Sequence, residues 1–274
     1  MRLETKCKLC SFRNPKATVT AAIIRNNKLL LLKRNEEPFK DMWDLPGGYM
    51  GEKESVEMAM KRELKEELEV NADLTFILTL PGTAYWMDKD FPILSHFFLA
   101  DIGEQKIKLN DENSEAAWID LATLKESDIA WDSNQAFASY TKENLTFDLE
   151  RIKDLVSQLD QSAEVNEQYI YKAVLNGYVA KRYDDSKLIG MGWIFPLQTL
   201  LRKQAVVEDI ICDEAYRRQG LGRSILQELV RWARTKGMDT IELTTNPKRI
   251  AANELYKSEG FGLHETNHYL LNLK

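Results

Sequence analysis

The 274-residue chain has only three cysteines, Cys7, Cys10 and Cys212, and an odd number that small builds no disulfide framework. Such scarcity fits a reducing compartment, and a cytoplasmic location is the simplest reading. No apolar run approaches the roughly 20 residues that a membrane-crossing helix needs. The charged start, Met1-Arg2-Leu3-Glu4-Thr5-Lys6, is followed by no apolar signal core. A basic excess is missing too: 37 Lys+Arg face 43 Asp+Glu, a net charge of −6, and no basic stripe suggests a nucleic-acid partner. The acidic surplus lies in residues 1–143, with 19 basic and 25 acidic side chains, whereas 144–274 carry 18 of each. Glycine and proline are absent between Gly103 and Gly177. A flexible tether is normally rich in one or both, so a boundary near 143–147 should be soft and two halves should pack together.

What remains is 44% apolar and 29% charged, the profile of a soluble globular protein long enough for two domains. Ala17–Ile24 and Leu29–Lys33 are β-rich runs around Arg25-Asn26-Asn27-Lys28, a hairpin turn in which asparagines tolerate positive φ. A loop with Pro38, Pro46, Gly47, Gly48 and Gly51 leads to a helix over 55–68. Strands are expected at Thr75–Leu80 and Ile93–Ala100, a polar loop at Asn110–Glu115 and a helix over 132–142. Two short helices, Leu149–Leu159 and Asn166–Leu175, precede strands at Tyr178–Tyr183, Leu188–Phe195 and Ala205–Cys212. Leu221–Lys236 reads as a helix stopped by Gly237, Ile241–Thr244 as a strand, Ala251–Lys257 as a helix and His268–Leu273 as a last strand.

The helix over 55–68 carries unusual charge. At 100° per residue, Val56, Ala59, Met60, Leu64 and Leu68 define one apolar arc. Glu63 and Glu67 fall inside it and Glu66 on its edge, where an ordinary amphipathic helix has no carboxylate. Partly desolvated like charges repel unless cations neutralise them, and hard oxygen ligands suit Mg²⁺ or Mn²⁺.

Gly48-x5-Glu54-x7-Arg62-Glu63-Leu64-x-Glu66-Glu67-x-Glu69-Val70 resembles the Nudix box over its 23-residue span, and Trp43-Asp44-Leu45-Pro46-Gly47-Gly48 before it is similar to the family as well. The resemblance implies Glu66, Glu67 and the Gly48 carbonyl as metal ligands, and Glu63 as a further ligand or as a base on a metal-bound water. Arg62 and Glu54 would hold the carboxylates in place. The implied reaction is attack of activated water on a phosphoanhydride. One position departs: Glu69 stands where the box has glycine, which touches the helix exit, and Asn71 could take over that turn. Outside the box, Glu112 and Glu115 precede Trp118 where the family often has another ligand or general base; either could equally be a solvated loop carboxylate. Arg34 is a candidate for a substrate phosphate or an exposed strand end, and Tyr85 and Trp86 for base stacking or core packing. His96 reads as a satisfied core histidine. Cys7-Lys8-Leu9-Cys10 with Asn14-Pro15-Lys16 resembles one knuckle of a zinc ribbon, without the other knuckle a zinc site needs.

In the second half, Arg217-Arg218-Gln219-Gly220-Leu221-Gly222 follows a strand and opens a helix, aiming backbone N–H groups at an anion. No Gly-Lys-Ser/Thr follows, so it is not a P-loop. Glu208-Asp209-Ile210-Ile211-x-Asp213-x-x-Tyr216-Arg217-x-x-Gly220-x-Gly222 resembles motif A of the GNAT acetyltransferases. Asn246-Pro247-x-Arg249-x-Ala251-x-Asn253-x-x-Tyr256-x-x-x-Gly260-Phe261 is similar to their motif B. The resemblance implies acetyl-CoA on the loop Arg217, Arg218, Gln219, Gly220, Leu221, Gly222 and Arg223, with pantetheine beside Ile210, Ile211 and Cys212 and a further contact at Asn253. Tyr256 would be the acid for the departing thiolate or a packed helix aromatic, and Glu208 or Asp209 a base for the acceptor amine or a structural residue.

The expected architecture is a two-domain α/β (α+β) chain: a Nudix α/β/α sandwich with a mixed sheet over 1–143, then a GNAT mixed-sheet α/β fold over 144–274. The expected function is bifunctional, Mg²⁺-dependent hydrolysis of an ADP-ribose-like nucleoside diphosphate together with acetyl transfer from acetyl-CoA to an amine of a small molecule or protein. The alternative is a Nudix fold that senses a nucleotide and regulates the acetyltransferase. A homodimer is compatible with either.

Overall fold

Asn26 and Asn27 both adopt positive φ, 51° and 58°, and turn the chain between β2 (Ile24–Arg25) and β3 (Lys28–Arg34), as their side chains permit. In the computed structural model, which describes residues 14–86, 89–271 and 273, the chain forms two units. One comprises the described residues up to Leu149 together with Asn166–Lys172; the other comprises Glu150–Val165 and the described residues from Ala173 onward. Cys7 and Cys10 lie outside the described residues.

The first unit contains β1 (Lys16–Ala22), β2, β3, β4 (Trp43–Asp44), β5 (Gly47–Tyr49), α1 (Val56–Leu68), β6 (Asp73–Trp86), β7 (Lys89–Asp101), β8 (Asn113–Asp120) and α2 (Asp132–Asn144). One sheet runs β5-β1-β7-β6 and is mixed, because β1 pairs parallel with β7 and the other pairs are antiparallel. In a second sheet β3 pairs antiparallel with β2, β4 and β8. Side chains alternate across β7: Phe98 and Ala100 join the cluster formed with Ala59, Met60, Leu64 and Leu68 of α1, while Phe97 stacks on Phe137 of α2 at 4.2 Å. Helix, sheet and helix thus form three layers. The expected polar loop at 110–115 is shorter, since β8 begins at Asn113; its exposed face is polar, which hid the strand.

Ser55 caps α1, its hydroxyl accepting the Met58 N–H at 3.2 Å. The helix exit corrects the sequence reading. Glu69 itself takes the left-handed conformation, φ 55° and ψ 28°, and Asn71 does not replace it. Lys108 donates to the Glu69 carboxylate at 2.6 Å and its backbone N–H to the Leu68 carbonyl at 2.9 Å, so the loop beyond holds the exit where glycine would otherwise serve.

Helices α3 (Leu149–Leu159) and α4 (Glu167–Asn176) follow. The first half of α4 builds the first unit: Glu167 accepts the Asn26 N–H at 2.8 Å, Gln168 donates to the Ile24 carbonyl at 2.9 Å, and Lys172 pairs with Asp73 at 2.6 Å. Tyr171 is 0% exposed with its ring 6.1 Å from that of Phe147. Tyr171→Ala is therefore expected to destabilise the first unit by about 3 kcal/mol or more. Thermal unfolding of the full chain reads this out; an unchanged melting profile would show that the Tyr171 ring contributes nothing there.

The second unit orders its sheet β12-β11-β10-β9, from β9 (Tyr178–Asp184), β10 (Lys187–Gln198), β11 (Lys203–Cys212) and β12 (Thr240–Leu243), with only the β11–β12 pair parallel. Ile225, Leu229 and Ala233 of α5 (Leu221–Thr235) pack on Ala180, Ile194, Ala205 and Val207. Gly237, φ 66°, ends α5 as expected, and α6 (Ile250–Ser258) follows β12. The expected strand at His268–Leu273 is not formed among the described residues; Tyr269, Leu270 and Leu271 are exposed there, without the partner strand that alternation alone cannot supply. No helix among the described residues is long and apolar enough to cross a membrane.

Candidate active sites

In the first unit the turn at β5 and helix α1 face each other. A Cβ on Gly48 would lie 2.5 Å from a Glu63 carboxylate oxygen, so any larger residue there would push that carboxylate out of its present position beside β5. Glu67 is 7% exposed and accepts the Gly47 N–H at 2.9 Å. Burial, and then the nearby charges of Glu63, Asp44 and Glu112, push its carboxyl well above the usual glutamate range. Burial also raises Glu63, against the pull of Arg62.

Arg62 is the hub. It grips Glu54 through Nε at 2.7 Å and Nη2 at 3.0 Å, and donates to Glu63 at 2.8 Å, Glu66 at 3.0 Å and the Tyr49 carbonyl at 2.9 Å. Glu54 is held down at about 2 by that grip and by the Gly51 N–H at 2.7 Å. Glu66, on the edge of the apolar arc, lies at the rim: a 100° step from buried Glu67 leaves its side chain 56% exposed. Among the described residues, no three carboxylate, imidazole or thiol groups converge on one ligating point, because Arg62 draws Glu63 and Glu66 to itself.

A cleft beside these groups is lined by Arg34, Glu36, Asp44, Leu45, Gly47, Glu67, Glu112 and Asn113. Glu112 therefore faces Glu67, whereas Glu115 lies across from Lys33 on the paired strand, 3.8 Å away, with its side chain 55% exposed. Arg34 lines the cleft but is no free arm: it donates to Asp44 at 3.1 Å and to the Pro38 carbonyl at 3.0 Å. Tyr85 is 44% exposed and meets Phe39 edge-on at 6.0 Å; the side chain of Trp86 lies outside the described part of the structure. His96 is satisfied as expected, its Nδ1 3.0 Å from the Thr79 hydroxyl.

Sequence reasoning missed Asp44, Trp131 and Asn134 as a group. Asp44 is buried and accepts from Arg34, Trp131 Nε1 at 2.9 Å, Asn134 at 2.7 Å and the Leu45 N–H at 2.9 Å. Burial raises its carboxyl, and Arg34, the two side-chain donors and the backbone donor oppose that. The motif around Trp43 contained Asp44, but partners some 90 positions away left no local signal.

In the second unit β11 bulges at Asp209, φ 51°, where its register with β10 shifts between Met191 and Trp193. Glu208 sits just before the bulge, half-buried, and burial plus Asp209 raise its carboxyl. Asp213 caps the turn beyond, its carboxylate accepting the Ala215 N–H at 2.9 Å and binding Arg151 and Lys187. The turn leads through Arg218, φ 64°, to Gly220, φ 81°, which caps α5. The Ser224 N–H bonds back to the Gly220 carbonyl at 3.0 Å, leaving the N–H groups of the first turn pointing out of the helix end.

Around this turn the expected contacts divide. Arg217 is tied to the Cys212 carbonyl at 3.2 Å and Glu214 at 3.2 Å, Gln219 to the Ala215 carbonyl at 3.5 Å, and Arg223 to Ser258 at 3.0 Å and Glu259 at 3.2 Å. The Asn253 amide closes the entry to α6, donating to the Asn246 and Arg249 carbonyls at 3.1 and 3.0 Å. A Cβ on Gly222 would lie 3.4 Å from Leu255 and 3.5 Å from the Cys212 sulfur, ordinary contact distances, so the start of α5 lies close to α6 and the end of β11 without packing demanding glycine there. Leu221 packs on the α5 core, Ile210 beside it and Ile211 is buried. Tyr256 has its phenol raised by burial, with Cys212 and Glu208 adding to that and Arg249 opposing it; its ring centroid is 6.2 Å from that of Phe261.

Comparison with known proteins follows the same division. The NUDIX domain family matches residues 15–140, and the acetyltransferase (GNAT) family matches residues 144–261. An ADP-ribose pyrophosphatase of Methanocaldococcus jannaschii is 32% identical over 133 residues, 48% of this chain and 76% of that protein. A [ribosomal protein bS18]-alanine N-acetyltransferase of Escherichia coli (strain K12) is 34% identical over 67 residues, 24% of this chain and 45% of that protein, so the chain spans under half of that relative. A crystallised MutT NUDIX hydrolase from Burkholderia pseudomallei is 27% identical, covering 41% of this chain and 88% of that one with a TM-score of 0.37. The chain belongs to the NUDIX hydrolase family through its first unit and carries a GNAT-family acetyltransferase domain after it.

Proposed function

We propose that the first unit hydrolyses the phosphoanhydride of a nucleoside diphosphate linked to a second group, of the ADP-ribose kind, with Mg²⁺ or Mn²⁺. The observation that carries this is Glu67, a buried carboxylate facing Glu112 across a cleft and pressed by Glu63. The residues fit a hard divalent cation: every donor is oxygen, and a cation would ease the crowding of carboxylates around Glu67 as Arg62 eases that of Glu63 and Glu66. Glu67, Glu66, Glu63, Glu112 and the Gly48 carbonyl would hold it. When bound, the cation polarises the phosphoanhydride and absorbs its developing negative charge. Glu63, whose carboxyl burial raises against the pull of Arg62, would serve either as a further ligand or as the group that takes a proton from the attacking water. Arg62, held by Glu54, keeps the carboxylates aligned. Domain boundaries of 1–143 and 144–274 and a cytoplasmic location belong to the same reading.

The second unit would transfer an acetyl group from acetyl-CoA to an amine. The N–H groups of Arg218–Gly222 would receive the pyrophosphate, Glu208 would deprotonate the acceptor, and Tyr256 would protonate the departing thiolate. Gly220→Val forces a β-branched residue into φ 81°, which displaces that turn. Calorimetry should show CoA affinity falling at least about tenfold while hydrolysis persists; unchanged affinity would move the site elsewhere.

The hydrolase reading is tested by a Mg²⁺-dependent screen over nucleoside diphosphates with ADP-ribose included. Release of AMP from ADP-ribose supports it. Tight nucleotide binding without turnover would support a sensing module instead.

A further inference from the structure

Phe39 and Trp131 are bulky aromatic residues at positive φ, 67° and 64°. Such residues rarely adopt these angles, and a surrounding structure that enforces them marks a place where geometry matters. The two touch each other edge-on at 5.0 Å. Trp131 lies under the Arg34 guanidinium at 5.3 Å and donates its Nε1–H to buried Asp44, which also binds Arg34. On the other side Phe39 meets Tyr85 at 6.0 Å, interplanar angle 73°. An unbroken array, Arg34–Trp131–Phe39–Tyr85, thus runs from the carboxylate-lined cleft to an exposed aromatic edge.

From this geometry we infer that the Phe39–Tyr85 surface is the subsite for the base of the nucleotide, and that it sets the preference for a base-bearing diphosphate. The assignment rests on the hydrolase reading above and deepens it. Asp44 and Trp131 fix Arg34 at the phosphate end, so the distance from base to phosphate is set by buried partners rather than by mobile side chains. Stacking on an aromatic face needs no particular base edge. Tyr49, another exposed aromatic of the first unit, is already engaged: Lys16 sits 5.6 Å from its ring and 5.0 Å from that of Phe91, which stacks on it. Trp131 also packs on Ala84, Phe91 and Ile93, which anchors the array to β6 and β7.

Calorimetric titrations of the full chain with ADP and with inorganic pyrophosphate, both with Mg²⁺, test this. Wild type should bind ADP more tightly than pyrophosphate. Phe39→Ala and Tyr85→Ala should each weaken ADP at least about tenfold and leave pyrophosphate within about twofold, whereas Tyr85→Phe, which keeps the ring, should retain wild-type ADP affinity. An unchanged ADP affinity in both alanine variants, or an equal loss of both ligands, would overturn the subsite. Wild type that binds pyrophosphate as tightly as ADP sinks the subsite alone; wild type that binds neither sinks the hydrolase reading and the subsite with it.

Discussion

Glu67→Gln is expected to lower hydrolytic kcat at least about a hundredfold while raising the melting temperature of the metal-free protein. The two effects share one cause. The Glu67 carboxyl is raised by burial and by Glu63, Asp44 and Glu112, so the folded state holds its proton more tightly than the unfolded state does. Its contribution to stability is complete below the ordinary glutamate value and is lost as pH rises through the higher folded value. Above the ordinary glutamate value, forcing this side chain to ionise in its buried place therefore opposes folding unless a cation compensates. Glutamine keeps an oxygen for the Gly47 N–H but carries no charge to neutralise. Without divalent ions, wild type should lose stability more steeply than the variant as pH rises above the ordinary glutamate range. Added Mg²⁺ should stabilise wild type and not Glu67→Gln. Wild-type turnover by the variant at saturating Mg²⁺ would remove Glu67 from the metal site.

Tyr256→Phe should lower the acetyl-transfer kcat at least about tenfold with little change in KM for acetyl-CoA. Burial, with Cys212 and Glu208 nearby, raises the phenol and keeps it protonated at neutral pH, the state an acid needs. Phenylalanine preserves the ring packing near Phe261 and removes only the proton donor. A kcat equal to wild type would make Tyr256 a packing residue, with solvent protonating the thiolate.

Local signals in the sequence were reliable where one element decides the outcome. The phase of α1 put Glu63 and Glu67 on its inner face, and Gly220 and Gly237 marked the two ends of α5. The same phase carried Glu66 to the rim, a distinction that a 100° wheel draws only coarsely. At Glu69 a non-glycine took the left-handed exit because Lys108, 39 positions on, binds its carboxylate. Asp44, Trp131 and Asn134 meet only through the fold, so no spacing announces them. The choice between Glu112 and Glu115 needed the β3–β8 register, which sets Glu115 opposite Lys33. At the C-terminus, alternation in His268–Leu273 suggested a strand, but a strand also requires a neighbour, and sequence does not name one.

The division of α4 bears on how such a chain can be rearranged. Family matches place the seam between residues 140 and 144, yet Asn166–Lys172 complete the first unit with Tyr171 fully buried in it. A recombination event that replaced everything after residue 143 would thus carry off a turn and a half of helix from the hydrolase along with the acetyltransferase. The incoming domain would have to supply equivalents of Glu167, Gln168, Tyr171 and Lys172 in register. Shuffling at this seam is selected against by folding alone, before either activity is considered, and grafts that retain residues up to 172 should outperform those cut at the family boundary.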